Sequence, residues 1–197
     1  MSVRSDLEAY AALLRKWNAV QNLVSRETLD ELWPRHIEDS LQVAPLLRPD
    51  DLAVLDLGSG GGFPAIPLAI ASRETVSERR FTLLEPVQKK AAFLRAVVRE
   101  LDLPARVETR RAQDFDSRET ADVITSRALA ALPELLGMAE PLIRPGGRLI
   151  LHKGQTYREE MSWAAQLYDF DVLVHPSRTD RDSAILEISK LRAKSAA

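Results

Sequence analysis

Three evenly spaced glycines follow a short apolar segment and form the part of the chain best suited to hold a ligand. Residues 53–67 read AVLDLGSGGGFPAIP, which predicts a buried strand, a tight turn and the start of a helix. Gly58, Gly60 and Gly62 give the turn the spacing G-x-G-x-G. Glycine adopts positive φ and lets a ligand approach the backbone, and the following helix offers free N–H groups. We interpret the turn as a ligand-binding loop; the alternative is a turn that binds nothing.

The spacing of these glycines separates two classes of cofactor. A dinucleotide fingerprint has the form G-x-G-x-x-G, and its last glycine packs the helix on the strand beneath a pyrophosphate. In this chain Phe63 takes the place of that glycine, and Pro64 follows it. A G-x-G-x-G turn after a strand that ends in Asp-Leu instead resembles the S-adenosylmethionine (SAM) site of class I methyltransferases. We therefore expect SAM as the cofactor.

Two acidic residues lie beside the predicted loop. Glu85 ends the second predicted strand, where an acid can accept hydrogen bonds from a ribose. The alternative for Glu85 is a solvated turn acid before Pro86. Asp56 lies in the first strand, where a buried acid is costly unless it is hydrogen-bonded. We expect Asp56 either to order the glycine loop through backbone N–H groups or to face the amine of SAM.

The loop after the third predicted strand is a candidate for the adenine end of the cofactor. Residues 110–114 read RRAQD. We expect the main chain of Ala112 and the side chain of Gln113 or Asp114 to flank the adenine. The alternative is a polar surface loop without a ligand.

Two cations end the fourth and fifth predicted strands. Arg127 faces the transferred methyl group in such a fold, and the D/N-P-P-Y/F motif of many amino-methylating enzymes is absent there. A guanidinium suits a phosphate, guanine O6 or the SAM carboxylate, although a surface arginine paired with an acid is the alternative. Lys153 is expected to meet phosphate or to lie along the surface. We predict catalytic roles for Arg127 and Lys153, interpret His152 as structural, and expect no metal site.

Alternating strands and helices position these residues. We predict a helical extension over 1–50, a core domain over 51–190 and a flexible tail over 191–197. The predicted strands lie at 53–57, 81–84, 106–109, 122–125, 148–152, 170–174 and 184–189. This alternation predicts an α/β fold with helices on both faces of a mostly parallel sheet. The last two strands have no helix between them, so they add one antiparallel strand, an ending typical of class I, Rossmann-like methyltransferases.

Composition limits the classes of partner. The chain has 197 residues, no cysteine and a net charge of −2. The absence of cysteine excludes disulfides, thiolate metal sites and cysteine nucleophiles. No long apolar run and no secretory signal stand out, so we expect a cytoplasmic protein that does not bind membranes. Because nucleic-acid binders are more often strongly basic, an RNA partner would need a local cationic surface.

Several motifs together resemble one known family. They are, in order, Trp17-Asn18, Asn22-Leu23, Arg35-His36, Asp39-Ser40-Leu41, the loop from Asp56 to Pro64, Ser126-Arg127-Ala128 and Lys153-Gly154. Their order and spacing resemble the glucose-inhibited division protein B family, the bacterial 16S rRNA guanine-N7 methyltransferases. The resemblance implies a SAM-dependent enzyme that acts on 16S rRNA or on the small ribosomal subunit, and we expect a monomer.

The same resemblance implies the residues that hold SAM. They are Gly58, Gly60, Phe63, Glu85, Ala112, Gln113 and Arg127. Three positions depart from the pattern of the family. Ala65 stands where glycine is common, Gln113 stands where an acid is common, and Asp182 stands where histidine is common.

Guanine N7 has an exposed lone pair and needs no deprotonation before it reacts. The resemblance therefore implies in-line methyl transfer that depends on positioning rather than on a general base. Two other functions remain open from the sequence. One is a class I methyltransferase acting on a small molecule or protein, and the other is a non-catalytic RNA-binding factor in ribosome assembly. A dinucleotide-dependent oxidoreductase is a more distant alternative.

Overall fold

A seven-stranded sheet forms the centre of the molecule. The structure is a computed structural model that describes residues 2–116 and 120–194. The strands are β1 (Ala53–Leu57), β2 (Arg80–Leu84), β3 (Ala105–Glu108), β4 (Ala121–Arg127), β5 (Ile143–Lys153), β6 (Tyr168–Pro176) and β7 (Ala184–Ala193). Their order is β3-β2-β1-β4-β5-β7-β6, and only β7 runs antiparallel to its neighbours. This arrangement confirms the predicted α/β fold with a mixed, mostly parallel sheet.

Helices cover both faces of the sheet. They are α1 (Val3–Asn18), α2 (Arg26–Leu29), α3 (Asp39–Leu41), α4 (Ala65–Ser72), α5 (Gln88–Glu100), α6 (Leu132–Ala139) and α7 (Tyr157–Leu167), with a π-helical turn at Trp33–Glu38 and 3-10 turns at Ala44–Leu46, Ala112–Asp114 and Glu140–Leu142. Side chains alternate across β1, so Val54 packs with α1, α4 and α5, while Leu55 packs with α6 and α7. None of the helices in the described ranges is long and apolar enough to cross a membrane.

The N-terminal extension shares the hydrophobic core of the sheet domain. Leu7, Tyr10 and Leu14 are buried in the same apolar cluster as β1, α4 and α5. Asp6 accepts a hydrogen bond from Arg73 of α4 at 2.7 Å. Because these contacts reach from α1 into the interior, the extension and the sheet form one packed unit.

The ends of several strands differ from the sequence-based prediction. We placed the start of the fifth strand at 148, after a Pro-Gly-Gly turn, but β5 begins at Ile143 and its register with β4 shifts before Val123. We placed the end of the last strand at 189, but β7 continues to Ala193, into the segment that we expected to be a flexible tail. The nine-residue β6 supplies the pairing partners that extend it, with Tyr168 opposite Ala193. Residues 195–197 lie outside the described residues.

Replacing Leu14 tests whether α1 belongs to the core. The Leu14 side chain is fully buried, so we expect Leu14→Ala to lower the free energy of unfolding by about 3 kcal/mol. Leu173→Ala is the matched control, because that leucine is 62% exposed on β6. Urea denaturation of both variants measures the difference. Equal losses in the two variants would show that α1 packs only weakly on the sheet.

Candidate functional site

The glycine loop connects β1 to α4 in a conformation that only glycine adopts easily. Gly58 has φ +68° and Gly62 has φ +98°. A Cβ atom on Gly62 would lie 2.6 Å from Ile66 and 2.9 Å from the Tyr10 hydroxyl. That hydroxyl donates a 2.5 Å hydrogen bond to the Gly61 carbonyl, so α1 holds the loop from one side. A side chain at Gly62 would therefore push the loop off α1 and α4.

Glu85 holds the other side of the loop. It is buried, and its two carboxylate oxygens accept 2.8 Å hydrogen bonds from the backbone N–H groups of Gly60 and Val87. The alternative of a solvated turn acid is therefore wrong. Each carboxylate oxygen has two lone-pair sites, so the group can still accept two further hydrogen bonds.

A cavity with two adjoining parts opens above this loop, and we call it the loop cavity. Its parts measure about 340 and 220 Å³ and share Gly58, Pro86 and Leu129 in their walls. The larger part is lined by Gly58, Gly60, Phe63, Glu85 and Arg127, and the smaller by Ala112 and Gln113. The structure thus brings all seven sequence-predicted cofactor residues to one cavity.

Leu23, Val24 and Leu129 line the loop cavity but were not predicted as cofactor residues. Leu23 and Val24 come from the N-terminal extension, and both of their backbone N–H groups donate to the Asn18 side chain, at 2.8 and 3.0 Å. The sequence analysis named Asn18 in the Trp17-Asn18 motif, but it did not predict that this side chain would hold the segment that lines the cavity. Leu129 packs on the bare Cα of Gly58, since a Cβ there would lie 2.6 Å from it.

Asp56 lies beneath the loop in an almost closed environment. One carboxylate oxygen accepts a 2.7 Å hydrogen bond from the Thr125 hydroxyl, and the other is buried without a partner among the described residues. Burial raises the pKa of Asp56 to about 7, against the opposing effects of Ser59, Thr125 and Arg127. The carboxyl group is therefore about half protonated at neutral pH and could accept or donate one more hydrogen bond.

A second cavity, which we call the edge cavity, lies at the carboxyl ends of β4 and β5. It measures about 400 Å³. Its lining comes from the N-terminal extension, the two strand ends and the connection from β6 to β7: Thr28, Arg35, His36, Asp39, Arg127, Ala128, His152, Lys153, Gly154, Ser177, Thr179, Asp180, Ser183, Ala184 and Ile185. Arg127 and Ala128 line the loop cavity as well, so this short segment is the wall between the two cavities.

Arg127 is held by several groups at once. Its guanidinium donates to the Asp39 carboxylate at 3.3 Å and to the Arg35 carbonyl at 3.1 Å. It lies 2.6 Å from His36 Nδ1 and stands over the Phe63 ring at 4.8 Å. Arg127 is therefore paired with an acid, as in the alternative reading, but only 17% of its side chain is exposed, so it is not a surface arginine. Burial lowers the pKa of Arg127, and the Asp39 carboxylate opposes that shift.

Asp39 connects three elements around the edge cavity. Besides Arg127, its carboxylate accepts hydrogen bonds from Thr179 at 2.8 Å and Gln42 at 3.0 Å. Its carbonyl lies 3.0 Å from His152 Nε2. The sequence analysis named Asp39 only as part of the Asp39-Ser40-Leu41 motif. It did not pair Asp39 with Arg127, because the two residues lie far apart along the chain.

Lys153 has a different environment from the one expected. Its stem lines the edge cavity, but its ammonium forms a 2.5 Å ion pair with Glu160 of α7 and donates to the Ala130 carbonyl at 2.9 Å. Glu160 in turn accepts from the backbone N–H of Leu132 at 2.7 Å. These contacts tie β5, α6 and α7 together. These contacts hold the Lys153 ammonium in the fold, and its predicted catalytic role stays a prediction.

Known proteins resemble this chain over most of its length. The family model described as GidB, rRNA small subunit methyltransferase G, matches residues 3–182. A ribosomal RNA small subunit methyltransferase G from Cereibacter sphaeroides is 42% identical over 185 residues, which cover 94% of this chain and 89% of that protein. One from Brucella ovis is 43% identical over 189 residues, covering 95% and 88%. This chain belongs to the GidB family.

Solved structures agree with this GidB fold at low sequence identity. An O-methyltransferase from Bacillus cereus, in complex with SAH, gives a TM-score of 0.61 at 20% identity and covers 92% of this chain and 91% of that one. A 16S rRNA methyltransferase from T. thermophilus gives 0.55 at 17% identity, covering 78% and 38%. These likenesses confirm the predicted class I methyltransferase fold.

The three departures from the GidB pattern lie at or near the two cavities. Ala65 is buried at the start of α4, and Gln113 lines the smaller part of the loop cavity. Asp182 is exposed, and its backbone N–H donates to Asp180, which lines the edge cavity. An acid at position 182 adds negative charge near that cavity.

Removing the Asp39 carboxylate tests how strongly the wall between the cavities depends on it. Asp39→Ala leaves the Arg127 charge largely buried without its counter-ion, so we expect the free energy of unfolding to fall by about 2–3 kcal/mol. Asp180→Ala, at an exposed acid on the same cavity, should cause a much smaller loss. Thermal and urea denaturation measure both. A negligible effect of Asp39→Ala would contradict this account of Arg127.

Proposed function

We propose that this chain transfers the methyl group of SAM to N7 of a guanine in 16S rRNA. The observation that carries the proposal is the shared wall of Arg127 and Ala128, which places a cavity for a donor directly beside a cavity for an acceptor. Membership of the rRNA small subunit methyltransferase G family supports the same reaction. In this proposal the loop cavity holds SAM, and the edge cavity holds the guanine.

The residues of the loop cavity fit SAM. Bound SAM supplies a methyl group on a positively charged sulfur, which an acceptor lone pair can attack in line. Glu85 retains lone pairs for the two ribose hydroxyls after binding Gly60 and Val87. The space beside Gly60 is open, because a Cβ atom there would contact only the Gly58 carbonyl oxygen, at 3.8 Å. Ala112 and Gln113 line the part beyond Leu129, where the adenine would lie.

The residues of the edge cavity suit an acceptor that needs no base. Guanine N7 carries its own lone pair, so the protein has only to orient the base and exclude water. Burial, with Arg127 beside it, lowers the pKa of His36 to about 4, so the ring is neutral at physiological pH. Its Nδ1 already contacts Arg127. The contacts of His36 and Arg127 therefore favour positioning over proton abstraction.

The proposed partner is a ribosomal particle or its RNA, and we propose that a single copy of this chain acts on it in the cytoplasm. Arg35 at the edge cavity is 61% exposed and could meet a phosphate after leaving its ion pair with Glu31. The net charge of −2 means that such contacts must be local.

Methyl transfer to ribosomal substrates tests the proposal. Naked 16S rRNA and small ribosomal particles, both from cells that lack this activity, are incubated with methyl-labelled SAM, and the nucleosides are then separated. We expect label in 7-methylguanosine at one guanine. Arg127→Lys should slow transfer about 100-fold, because a lysine cannot reach Asp39, Arg35 and His36 together. Arg144→Lys, at a half-exposed arginine, is the matched control and should change the rate less than about twofold.

The outcomes separate the alternatives. Label in another nucleoside, a protein or a small molecule would assign the methyltransferase a different acceptor. RNA binding without any transfer, and without SAM binding, would indicate a non-catalytic assembly factor. Equal rates for Arg127→Lys and Arg144→Lys would contradict the role of the wall.

A further inference from the structure

Two histidine nitrogens at the edge cavity are buried and have no hydrogen-bond partner among the described residues. They are Nε2 of His36 and Nδ1 of His152, and both side chains line this cavity. Leaving a buried polar atom without a hydrogen bond is unfavourable. Since the two rings come from distant parts of the chain and meet at one cavity, their free nitrogens are candidates for contacts with the acceptor base.

The contacts of His36 fix which of its nitrogens carries the proton. Its Nδ1 lies 2.6 Å from Nη2 of Arg127. A guanidinium can only donate, so Nδ1 must accept this hydrogen bond. The neutral ring then carries its proton on Nε2. The unpaired atom of His36 is therefore a donor.

The contacts of His152 fix the opposite arrangement. Its Nε2 lies 3.0 Å from the carbonyl oxygen of Asp39, which can only accept, so Nε2 carries the proton. Burial lowers the pKa of His152 and keeps the ring neutral near pH 7. The unpaired Nδ1 is therefore an acceptor, and the two residues carry one unpaired donor and one unpaired acceptor.

We propose that these two histidines select guanine as the acceptor base: His36 Nε2–H donates to guanine O6, and His152 Nδ1 accepts from guanine N1–H. Adenine has the reverse pattern, an amino donor at C6 and a lone pair at N1, so it would leave both histidines unpaired. His152 is the register partner of Arg127 on the neighbouring strand β5, and His36 bonds to Arg127 directly, so both residues lie next to the wall. This inference rests on the proposed function, and it changes the structural interpretation of His152.

The test uses an acceptor that keeps N7 but loses both contacts. 2-Aminopurine lacks O6 and has a lone pair at N1. Small particles are reconstituted from 16S rRNA that carries guanine or 2-aminopurine at the position identified by the labelling experiment. We expect the wild-type protein to methylate the guanine substrate at least about 100-fold faster, as kcat/KM, because a site built for polar groups rejects a base without them. Equal rates on the two substrates would overturn the proposal whatever the variants do.

Variants of His36 test whether this residue provides the preference for guanine over 2-aminopurine. His36→Phe keeps an aromatic ring beside Phe63, whose ring stacks on His36 at 4.9 Å, but removes the donor. It should reduce the guanine preference at least about tenfold, whereas His36→Gln, whose amide can donate, should retain most of it. His175→Phe is the matched control, because His175 bonds to Glu187 and does not line the edge cavity. A general loss of structure would slow both substrates equally and leave the preference unchanged, which would contradict the role of His36.

The same experiment distinguishes failure of this inference from failure of the proposed function. If the wild-type protein places no label on N7 of guanine, the proposed function fails first. If it labels guanine N7 but His36→Phe keeps the full preference, the enzyme stands and the assignment of His36 is wrong.

Discussion

The arrangement of both cavities depends on the neutralisation of one largely buried positive charge. Arg127 ends β4, where only 17% of its side chain is exposed, and a charge there is costly without an opposite charge and hydrogen bonds. Asp39 supplies that charge from the N-terminal extension. Because Asp39 also binds Thr179 and His152, the same carboxylate and backbone fix one side of the edge cavity. The wall between the donor and acceptor cavities thus exists only when extension and sheet are packed together.

The N-terminal extension is therefore part of the site rather than an addition to a complete domain. The Tyr10 hydroxyl holds the glycine loop at Gly61, and Asn18 holds the segment that lines the loop cavity at Leu23. His36 closes the other side against Phe63 and Arg127. The contacts of Tyr10 and His36 join elements before residue 50 to elements after residue 57. The N-terminal extension thus supplies residues of both cavities that the sheet alone does not.

Much of the fold and of the loop cavity could be predicted from the sequence, because the carboxyl ends of parallel strands meet at one edge. From the sequence alone, that rule predicts that Gly58, Glu85 and Arg127 lie close together. It could not pair His36 with Arg127, since periodicity shows which face of a helix is buried but not what covers it. The ion pair of Lys153 could not be predicted for the same reason, since its partner Glu160 comes from a helix whose packing the sequence does not show. The start of β5 and the end of β7 were predicted wrongly, because pairing with a neighbouring strand sets where each of them begins or ends.

The most direct test of the central claim is a crystal structure with S-adenosylhomocysteine and a guanine nucleotide bound together. The account predicts the sulfur in the loop cavity and guanine N7 in the edge cavity, facing each other beside Arg127 and Ala128 with no side chain between them. It also predicts guanine O6 within hydrogen-bond distance of His36 Nε2. A base bound outside the edge cavity, or a sulfur that does not face N7, would contradict the division of the site into these two cavities.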